Sequence, residues 1–256
     1  MIEYRKPQDV ECPVCHGPTE ILDVVDFNKN CLEARGVYLQ LTGKPIYYNR
    51  CPDCGFAFAP EMWSWSHEDF QLYVYNADYE VVDPEYAQIR PRRDTDFVTQ
   101  LFPAAREAGE HLDYGSGAGL LSDLLNARAW RSTAYDPFIH GEAQRPQRKF
   151  GLITAFEVFE HAPSVDKLMG DLKALAEEEA VILFSTLLSD TYIAPNSRLD
   201  WWYASPRNGH ISLYTTESLK RLARQAGWGF ASFSPAAHCF VTRPIPAWAR
   251  GVIGAG

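Results

Sequence analysis

Apolar and polar positions follow two different patterns along the chain, and the change falls near residue 95. Before that point, apolar residues lie in short, aromatic-rich runs broken by turn residues such as Gly43 and Pro45, which is typical of short strands joined by tight turns. After it, short apolar runs alternate with segments whose apolar residues recur at helical spacing, as at 165, 168, 172, 175 and 176. Strands that alternate with helices predict a mostly parallel sheet with helices on both faces.

The second pattern predicts a definite order of elements. These are a helix over 96–108 that Pro103 must kink or restart, a strand over 110–114, a helix reaching about 126, strands over 132–135 and 150–155, a helix from 165, a strand over 180–187, a helix over 216–226 and a hairpin of 229–234 with 238–242. The first pattern predicts one helix, which Ser66 begins because its hydroxyl precedes three polar residues, two of them acids. We therefore divide the chain into a small module (1–60), an aromatic and acidic connector (61–94) and an α/β domain (95–256).

The run from Asp113 to Gly119 carries the clearest chemical signal. It reads Asp-Tyr-Gly-Ser-Gly-Ala-Gly, follows an apolar strand and opens a helix, where glycines let a ligand approach the backbone closely. Asp136 ends the next predicted strand, where a carboxylate can bind a ribose diol. Leu120 stands where a dinucleotide fingerprint has its third glycine, which disfavours NAD, and no Gly-Lys-Ser/Thr follows, which excludes a triphosphate loop.

These residues resemble the motifs of the class I S-adenosylmethionine-dependent methyltransferases. The likeness covers about 95–245 and includes Asp113–Gly119, Asp136 and the fourth-strand motif FGLITAFEVFEHAP at 150–163. It implies a Rossmann-like, seven-stranded sheet whose last two strands form an antiparallel hairpin. The cofactor-binding residues that it implies are Asp113 at the ammonium group, Gly115, Gly117 and Gly119 in the loop, Asp136 at the ribose, and Phe156 and Glu157 bordering the cofactor and facing the substrate.

The chain departs from the family pattern between the second and fourth strands. Only residues 137–149 lie there, with two prolines and a glycine, whereas the family fits a helix and a third strand. We therefore expect a third strand that is short or lost, and we assign no residue to the adenine ring.

Two Cys-Pro-x-Cys pairs predict a metal site in the first module. Cys12 with Cys15 and Cys51 with Cys54 place four thiolates on two knuckles, which can close a tetrahedron around Zn²⁺. Four thiolates leave no open coordination position, so we interpret the zinc as structural and the module as similar to a zinc ribbon. Cys31 and Cys239 are interpreted as ordinary packing residues.

Catalytic candidates are few, because methyl transfer mainly requires alignment of the acceptor with the methyl carbon. A base is needed only where the acceptor must lose a proton, and histidine is the usual one near neutral pH. Glu157, Glu160 and His161 follow the fourth strand, resembling the divalent-cation site of quinone-pathway O-methyltransferases, and a hydrogen-bonded turn is the alternative. His210 lies in the loop after the fifth strand and is interpreted either as a base facing the acceptor or as a loop residue. The predicted catalytic set is therefore His210, Glu157 and His161.

Charge narrows the choice of partner. Residues 1–90 hold 7 Lys and Arg against 15 Asp and Glu, an acidic balance that repels phosphate backbones. The chain lacks a long apolar run and an apolar signal segment, so we expect a cytoplasmic protein with no membrane partner.

A zinc segment joined to this domain resembles the zinc-containing methyltransferases of small metabolites and sugars, so the predicted function is methyl transfer to a small-molecule, sugar- or metabolite-like acceptor. The alternatives are an RNA- or protein-directed methyltransferase that uses the zinc module to bind its partner, and a catalytically silent module that only binds the cofactor. The sequence leaves open the acceptor atom and the oligomeric state.

Overall fold

The computed structural model describes residues 10–254. Its strands are β1 (Glu20–Asp26), β2 (Pro45–Arg50), β3 (Ala57–Phe58), β4 (His111–Tyr114), β5 (Ser132–Tyr135), β6 (Phe150–Ala155), β7 (Ala176–Ser185), β8 (Ser212–Leu213), β9 (Gly229–Ser232) and β10 (Ala237–Val241). Its α-helices are α1 (Pro60–Trp63), α2 (His67–Tyr73), α3 (Tyr79–Val82), α4 (Ile89–Leu101), α5 (Ala105–Ala108), α6 (Leu120–Asn126), α7 (Pro137–His140), α8 (Val165–Leu175), α9 (Thr216–Ala226) and α10 (Arg250–Ile253). Short 3₁₀ helices cover Cys31–Arg35, Glu142–Gln144, Phe159–His161, Pro206–Asn208 and Ala247–Ala249.

The chain forms two compact units, and each draws on separate stretches of sequence. Unit 1 comprises 1–82, 160–165 and 188–221, and unit 2 comprises 83–159, 166–187 and 222–256. These units are defined by compactness. Whether the chain has separate domains with boundaries at residues 60 and 94 stays a prediction.

Unit 1 contains an antiparallel sheet in the order β1-β2-β3-β8. The strand β8, more than 150 residues after β3 in the chain, completes the sheet by pairing Leu213 with Ala57 and Ser212 with Phe58. The predicted helix start at Ser66 is confirmed, because its hydroxyl accepts from the Asp69 amide while the Asp69 carboxylate accepts from the Ser66 amide. Residues 37–44 form no strand, although their sequence is rich in β-formers.

Unit 2 contains a six-stranded sheet in the order β5-β4-β6-β7-β10-β9. The four strands from β5 to β7 are parallel, and β10 runs antiparallel to both β7 and β9, as the resemblance implies. Between β5 and β6 the chain forms only α7 and one 3₁₀ helix. The Rossmann-like fold class and the loss of the third strand are thus confirmed, and the sheet has six strands in the described residues where the family implies seven.

Two element boundaries differ from the prediction, and in both cases the element begins earlier in the chain. Helix α4 begins at Ile89 rather than near 96, and buried Thr95 donates its hydroxyl to the Pro91 carbonyl within it. Strand β7 begins at Ala176, which pairs with Phe150, so it includes the polar run 177–179. The predicted break at Pro103 is confirmed, since α4 ends at Leu101 and α5 begins at Ala105.

One face of the unit 2 sheet packs against helices to form a hydrophobic core. Val98 of α4, Phe102 immediately after that helix, Leu125 of α6, and Leu152 and Leu183 of the strands are buried together. None of the helices between residues 10 and 254 has the length and the apolar character needed to cross a membrane.

Candidate active site

The loop after β4 has the geometry of a cofactor cradle in unit 2. Gly115 and Gly117 have φ values of +74° and +54°, which side chains other than glycine rarely adopt. A Cβ atom at Gly115 would lie 2.4 Å from Val158 Cγ2, so no larger residue fits there. A Cβ at Gly117 would meet nothing within 4 Å, so the backbone at this position borders open space. Gly119, also left-handed, is the residue from which α6 begins.

Asp136 is tied to this loop by its side chain. One carboxylate oxygen accepts the Gly117 amide at 2.9 Å, and the other accepts the Phe138 amide at 2.8 Å. Each carboxylate oxygen has a second lone pair, so the group can still accept hydroxyl donors from a ribose. The structure therefore brings the predicted ribose residue to the predicted loop.

Three carboxyl groups influence one another at this loop. Asp113 is buried, and burial together with the charges of Asp94 and Asp136 raises its pKa to about 7, against a hydrogen bond from Thr154 that lowers it. Burial also raises the pKa of Asp94 to about 6. Ser116 adds a buried hydroxyl oxygen that has no partner in the described residues. This donor set fits S-adenosylmethionine, whose ammonium and sulfonium groups are positive and whose ribose offers hydroxyl groups.

Glu157 lies directly after β6 in a strained conformation, with φ at +52°. Its amide donates to Ser185 Oγ at 2.7 Å, and that hydroxyl donates to Glu157 Oε1 at 2.9 Å. Arg90 donates to the other carboxylate oxygen at 2.7 Å and also pairs with Asp83. The neighbouring Phe156 is half-buried and packs its ring against Phe97. Glu157 is thus held at a fixed position on the side of β6 where the chain leaves the sheet.

Arg90 and Asp94 are the site residues that sequence analysis missed. They are four positions apart on α4, so their side chains lie on the same helix face. The i, i+4 spacing of Arg90 and Asp94 was the signal that could have identified them. We missed it because residues 61–94 had been assigned to a connector.

Unit 1 brings all four predicted zinc ligands together. Cys12 Sγ lies 3.6 Å from Cys54 Sγ, Cys15 Sγ lies 3.4 Å from Cys51 Sγ, and all four sulfur atoms lie within 4.8 Å of one another. These separations suit a tetrahedron with Zn–S bonds of about 2.3 Å. The hydrogen bond between Cys12 and Cys54 lowers the pKa of Cys12 and raises the pKa of Cys54, so one proton is shared out unequally between the two sulfur atoms. The donor set fits zinc.

Both cysteine knuckles share one backbone arrangement. In the first, the Cys12 amide donates to the Gly17 carbonyl and His16 adopts a φ of +59°. In the second, the Cys51 amide donates to the Phe56 carbonyl and Gly55 adopts a φ of +74°. The repeated Cys-Pro-x-Cys sequence therefore builds the same turn twice.

Unit 1 also gathers a second polar cluster, formed by Glu160, His161 and His210, whose ligand atoms lie within 4.8 Å of one another. His210 Nδ1 lies 2.9 Å from the Tyr203 carbonyl, and since a carbonyl only accepts, Nδ1 donates and Nε2 keeps its lone pair. The Tyr203 hydroxyl donates to Glu160 at 2.6 Å.

The rings of this cluster are close-packed. His210 lies 4.8 Å from the ring of His161 and 4.2 Å from that of Tyr203, measured between centroids. His161 Nδ1 lies 3.2 Å from the Tyr75 hydroxyl. A Cβ atom at Gly209 would lie 3.1 Å from His161 Nδ1, so the small residue before His210 leaves room for the second imidazole.

The predicted catalytic residues are therefore divided between the two units. Glu157 belongs to unit 2 and pairs with Arg90, whereas His161 and His210 belong to unit 1 with Glu160. Tyr203 and Tyr75 complete the unit 1 cluster, and no sequence motif marks Tyr75. A divalent-cation site of Glu157, Glu160 and His161 stays a prediction, and the candidate metal-binding group found in the described residues holds His210 in place of Glu157.

Comparison with known proteins identifies one family. The family profile described as "Methyltransferase domain" matches residues 86–231, which is 146 of the 256 residues. A search of curated proteins finds no match.

Solved structures give distant similarities. An O-methyltransferase family protein from Burkholderia thailandensis is 12% identical, with 73% of this chain and 70% of that chain covered and a TM-score of 0.42. An amino pentose methyltransferase from Micromonospora echinaspora, solved with bound S-adenosylmethionine, is 11% identical over 66% of this chain and 98% of that chain, with a TM-score of 0.45. Magnesium protoporphyrin IX methyltransferase from Synechocystis is 12% identical over 59% and 83%, with a TM-score of 0.38.

Proposed function

Because the chain belongs to the methyltransferase-domain family and is an S-adenosylmethionine-dependent methyltransferase, we propose that it methylates a small-molecule, sugar- or metabolite-like acceptor whose reacting atom loses a proton. The observation that carries this proposal is the unit 1 cluster. Two imidazoles lie beside a buried carboxylate, and an imidazole nitrogen can accept the proton that the acceptor loses.

S-adenosylmethionine supplies an electrophilic methyl group on a sulfonium. We propose that Asp113 holds its ammonium group and that Asp136 accepts the ribose hydroxyls. The open backbone of the glycine loop, at Gly115, Gly117 and Gly119, gives the methionine portion close access. Phe156 and Glu157 border the cofactor, and the Arg90 and Ser185 contacts keep Glu157 in a single orientation.

His210 is the proposed base. Its Nδ1–H donates to the Tyr203 carbonyl, which fixes the tautomer in which Nε2 accepts a proton. A backbone carbonyl commonly sets the tautomer of a histidine in this way. Once His210 is protonated, the nearby Glu160 carboxylate compensates its charge inside the protein. His161, held by Tyr75, is proposed to bind the acceptor beside it.

The zinc site has a structural role in this proposal. Cys12, Cys51 and Cys54 are buried and Cys15 is half-buried, and a closed four-thiolate shell offers no position for a substrate. Zinc therefore stabilises the fold of unit 1 and takes no part in the transfer.

The acidic balance of residues 1–90 supports a small molecule over nucleic acid, and the test compares acceptor pools directly. Zinc-loaded protein is incubated with methyl-labelled S-adenosylmethionine and, separately, a fractionated metabolite extract, total RNA and total protein. Label in the metabolite fraction supports the proposal. Label in RNA or protein overturns it, and so does intact binding of S-adenosylhomocysteine with no label in any pool, which is the behaviour of a silent cofactor-binding module.

A further inference from the structure

Five polar side chains form a continuous hydrogen-bonded chain through the unit 2 sheet, which we call the β4 polar chain. His111 Nδ1 lies 2.7 Å from Ser132 Oγ, and its Nε2 lies 3.1 Å from Thr154 Oγ1. Thr154 Oγ1 lies 3.0 Å from Asp113 Oδ1. Ser122 Oγ ends the chain 2.9 Å from Ser132 Oγ. Ser132 is half-buried and the other four residues are buried. The other end of the β4 polar chain is Asp113, at the start of the cofactor loop.

The strand register creates this chain. His111 pairs with Ser132 on β5, and Asp113 pairs with Thr154 on β6. Residues two apart on a strand point to the same face, so His111 and Asp113 project together, flanked by a hydroxyl from each neighbouring strand. A histidine, a threonine and a serine at these positions are unusual inside a parallel sheet, whose strands are normally almost wholly apolar.

The number of protons in the chain fixes the direction of its hydrogen bonds. Burial lowers the pKa of His111 to about 3, so its ring is neutral and has one donor and one acceptor nitrogen. When Asp113 is ionised it can only accept, so Thr154 donates to it and itself accepts from the Nε2–H of His111. Ser132 then gives its single hydroxyl proton to Nδ1, so in this state it accepts from the Ser122 hydroxyl and does not donate to it. When Asp113 is protonated, the same bonds can reverse and the histidine takes the Nδ1–H tautomer.

We propose that His111 and Thr154 are positioning residues for the cofactor: they aim the Asp113 carboxylate at the ammonium group of S-adenosylmethionine, and the Nε2–H tautomer of His111 accompanies the bound state. This rests on the proposed role of Asp113. Thr154 supplies the hydrogen bond that stabilises the ionised carboxylate, whereas Asp94 on α4 and Asp136 after β5 act against ionisation. The polar chain therefore opposes the two neighbouring charges.

The first test measures affinity for S-adenosylhomocysteine by calorimetry in the zinc-loaded protein. Thr154→Val removes the hydroxyl with little change in volume, and we expect affinity at pH 7 to fall about tenfold, as for the loss of a hydrogen bond to a charged group. The difference in affinity between wild type and Thr154→Val should be smaller at pH 9, where Asp113 is ionised in both proteins. Thr154→Ser should restore affinity, and Thr133→Val, on β5 but outside the β4 polar chain, should leave it unchanged.

The second test observes the histidine itself. Nitrogen-15 NMR of histidine-labelled protein distinguishes the two neutral tautomers, and His111→Gln identifies the signal. We expect the Nε2–H tautomer when S-adenosylhomocysteine is bound and a mixture in its absence. Should Thr154→Val fail to fold, Ser132→Ala is the second variant to measure. We expect Ser132→Ala to raise the fraction of the Nδ1–H tautomer by less than Thr154→Val does, because Ser132 lies farther from Asp113.

The outcomes separate the two proposals. Unchanged affinity in Asp113→Asn overturns the role of Asp113 itself. Lower affinity in Asp113→Asn, together with a Thr154→Val protein that binds like wild type at every pH, overturns the positioning role alone. A His111 tautomer that S-adenosylhomocysteine does not alter also overturns it.

Discussion

Each unit buries a carboxylate, and the two differ in what surrounds the negative charge. Burial raises the pKa of Asp113 in unit 2, and the negative charges of Asp94 and Asp136 raise it further. Glu160 in unit 1 lies within 4.8 Å of ligand atoms of two imidazoles and accepts a tyrosine hydroxyl. A buried charge is costly unless it is paired. Asp113 is therefore suited to bind an external cation. Glu160 is instead suited to stabilise a proton carried by one of the two neighbouring imidazoles.

In the proposed function, this contrast gives the two units different chemistry. A site that gathers carboxylates binds a positively charged cofactor, and its strength depends on pH and on the number of acids. A site that combines a carboxylate with histidines moves a proton while its net charge stays near zero. Substitutions in unit 2 should therefore change cofactor affinity, and substitutions in unit 1 should change turnover.

The largest expected effect comes from the proposed zinc site in unit 1. Cys51→Ser should remove the bound zinc and lower the free energy of unfolding by about 3 kcal/mol or more, because structural zinc contributes about 10–16 kcal/mol in zinc fingers. Metal analysis and thermal denaturation measure both changes. Cys239→Ser, a buried cysteine outside the cluster, is the matched control and should keep the zinc. Wild-type protein purified without chelator that contains no zinc would refute the assignment.

The second prediction breaks the unit 1 side of the contrast. His210→Gln keeps a polar side chain but removes the base, so turnover should fall about 10²-fold, the usual contribution of general-base catalysis. Affinity for S-adenosylhomocysteine should stay the same, because His210 belongs to unit 1. His67→Gln, at an exposed histidine, is the control. Normal turnover with a lower melting temperature would show that His210 serves only packing.

The third prediction weakens unit 2 alone. Asp136→Ala removes both the proposed ribose acceptor and the Gly117 hydrogen bond, so cofactor affinity should fall by about 1–3 kcal/mol. Calorimetry with S-adenosylhomocysteine measures it, and Asp96→Ala on the exposed face of α4 is the control. Unchanged affinity in Asp136→Ala would remove Asp136 from the site.

The cofactor loop was predictable because its parts are adjacent in sequence. A strand, a glycine turn and a helix follow one another within Glu110–Asn126, and the next strand ends at Asp136, so local pattern locates all of them. The shortness of segment 137–149, with its two prolines and a glycine, likewise predicted a third strand that is short or lost. The cysteine pairs were identifiable from their spacing in the sequence, although what they bind stays a prediction.

The unit 1 cluster was only partly predictable because its residues are far apart in the chain. Tyr75, Glu160 and His210 meet only through tertiary structure, and β8 joins a sheet whose other strands end at Phe58. The β4 polar chain was hidden for a different reason. His111 and Thr154 lie inside strands that their apolar neighbours identify, and only the register shows that their side chains meet across two strands.

The last prediction uses pH to sharpen the contrast. Asp113 titrates near pH 7 in the protein, well above its unperturbed value of about 3.9. Between those values the folded protein keeps the Asp113 proton while the same carboxyl group in the unfolded chain ionises, so the contribution of Asp113 to stability falls as pH rises from about 4 to about 7. Asp94, whose pKa is raised to about 6, contributes in the same direction.

A bound ammonium group removes that cost by favouring the carboxylate, so cofactor binding should release a proton near neutral pH. Affinity for S-adenosylhomocysteine should therefore rise about tenfold from pH 6 to pH 8, the change expected as one carboxyl group with a pKa near 7 ionises. Calorimetry in two buffers of different ionisation enthalpy measures both the affinity and the released proton. Asp113→Asn should flatten the profile, while His210→Gln should leave it unchanged. An affinity that is equal at the two pH values, or falls between them, would contradict the view that unit 2 is a cation site set by its buried acids.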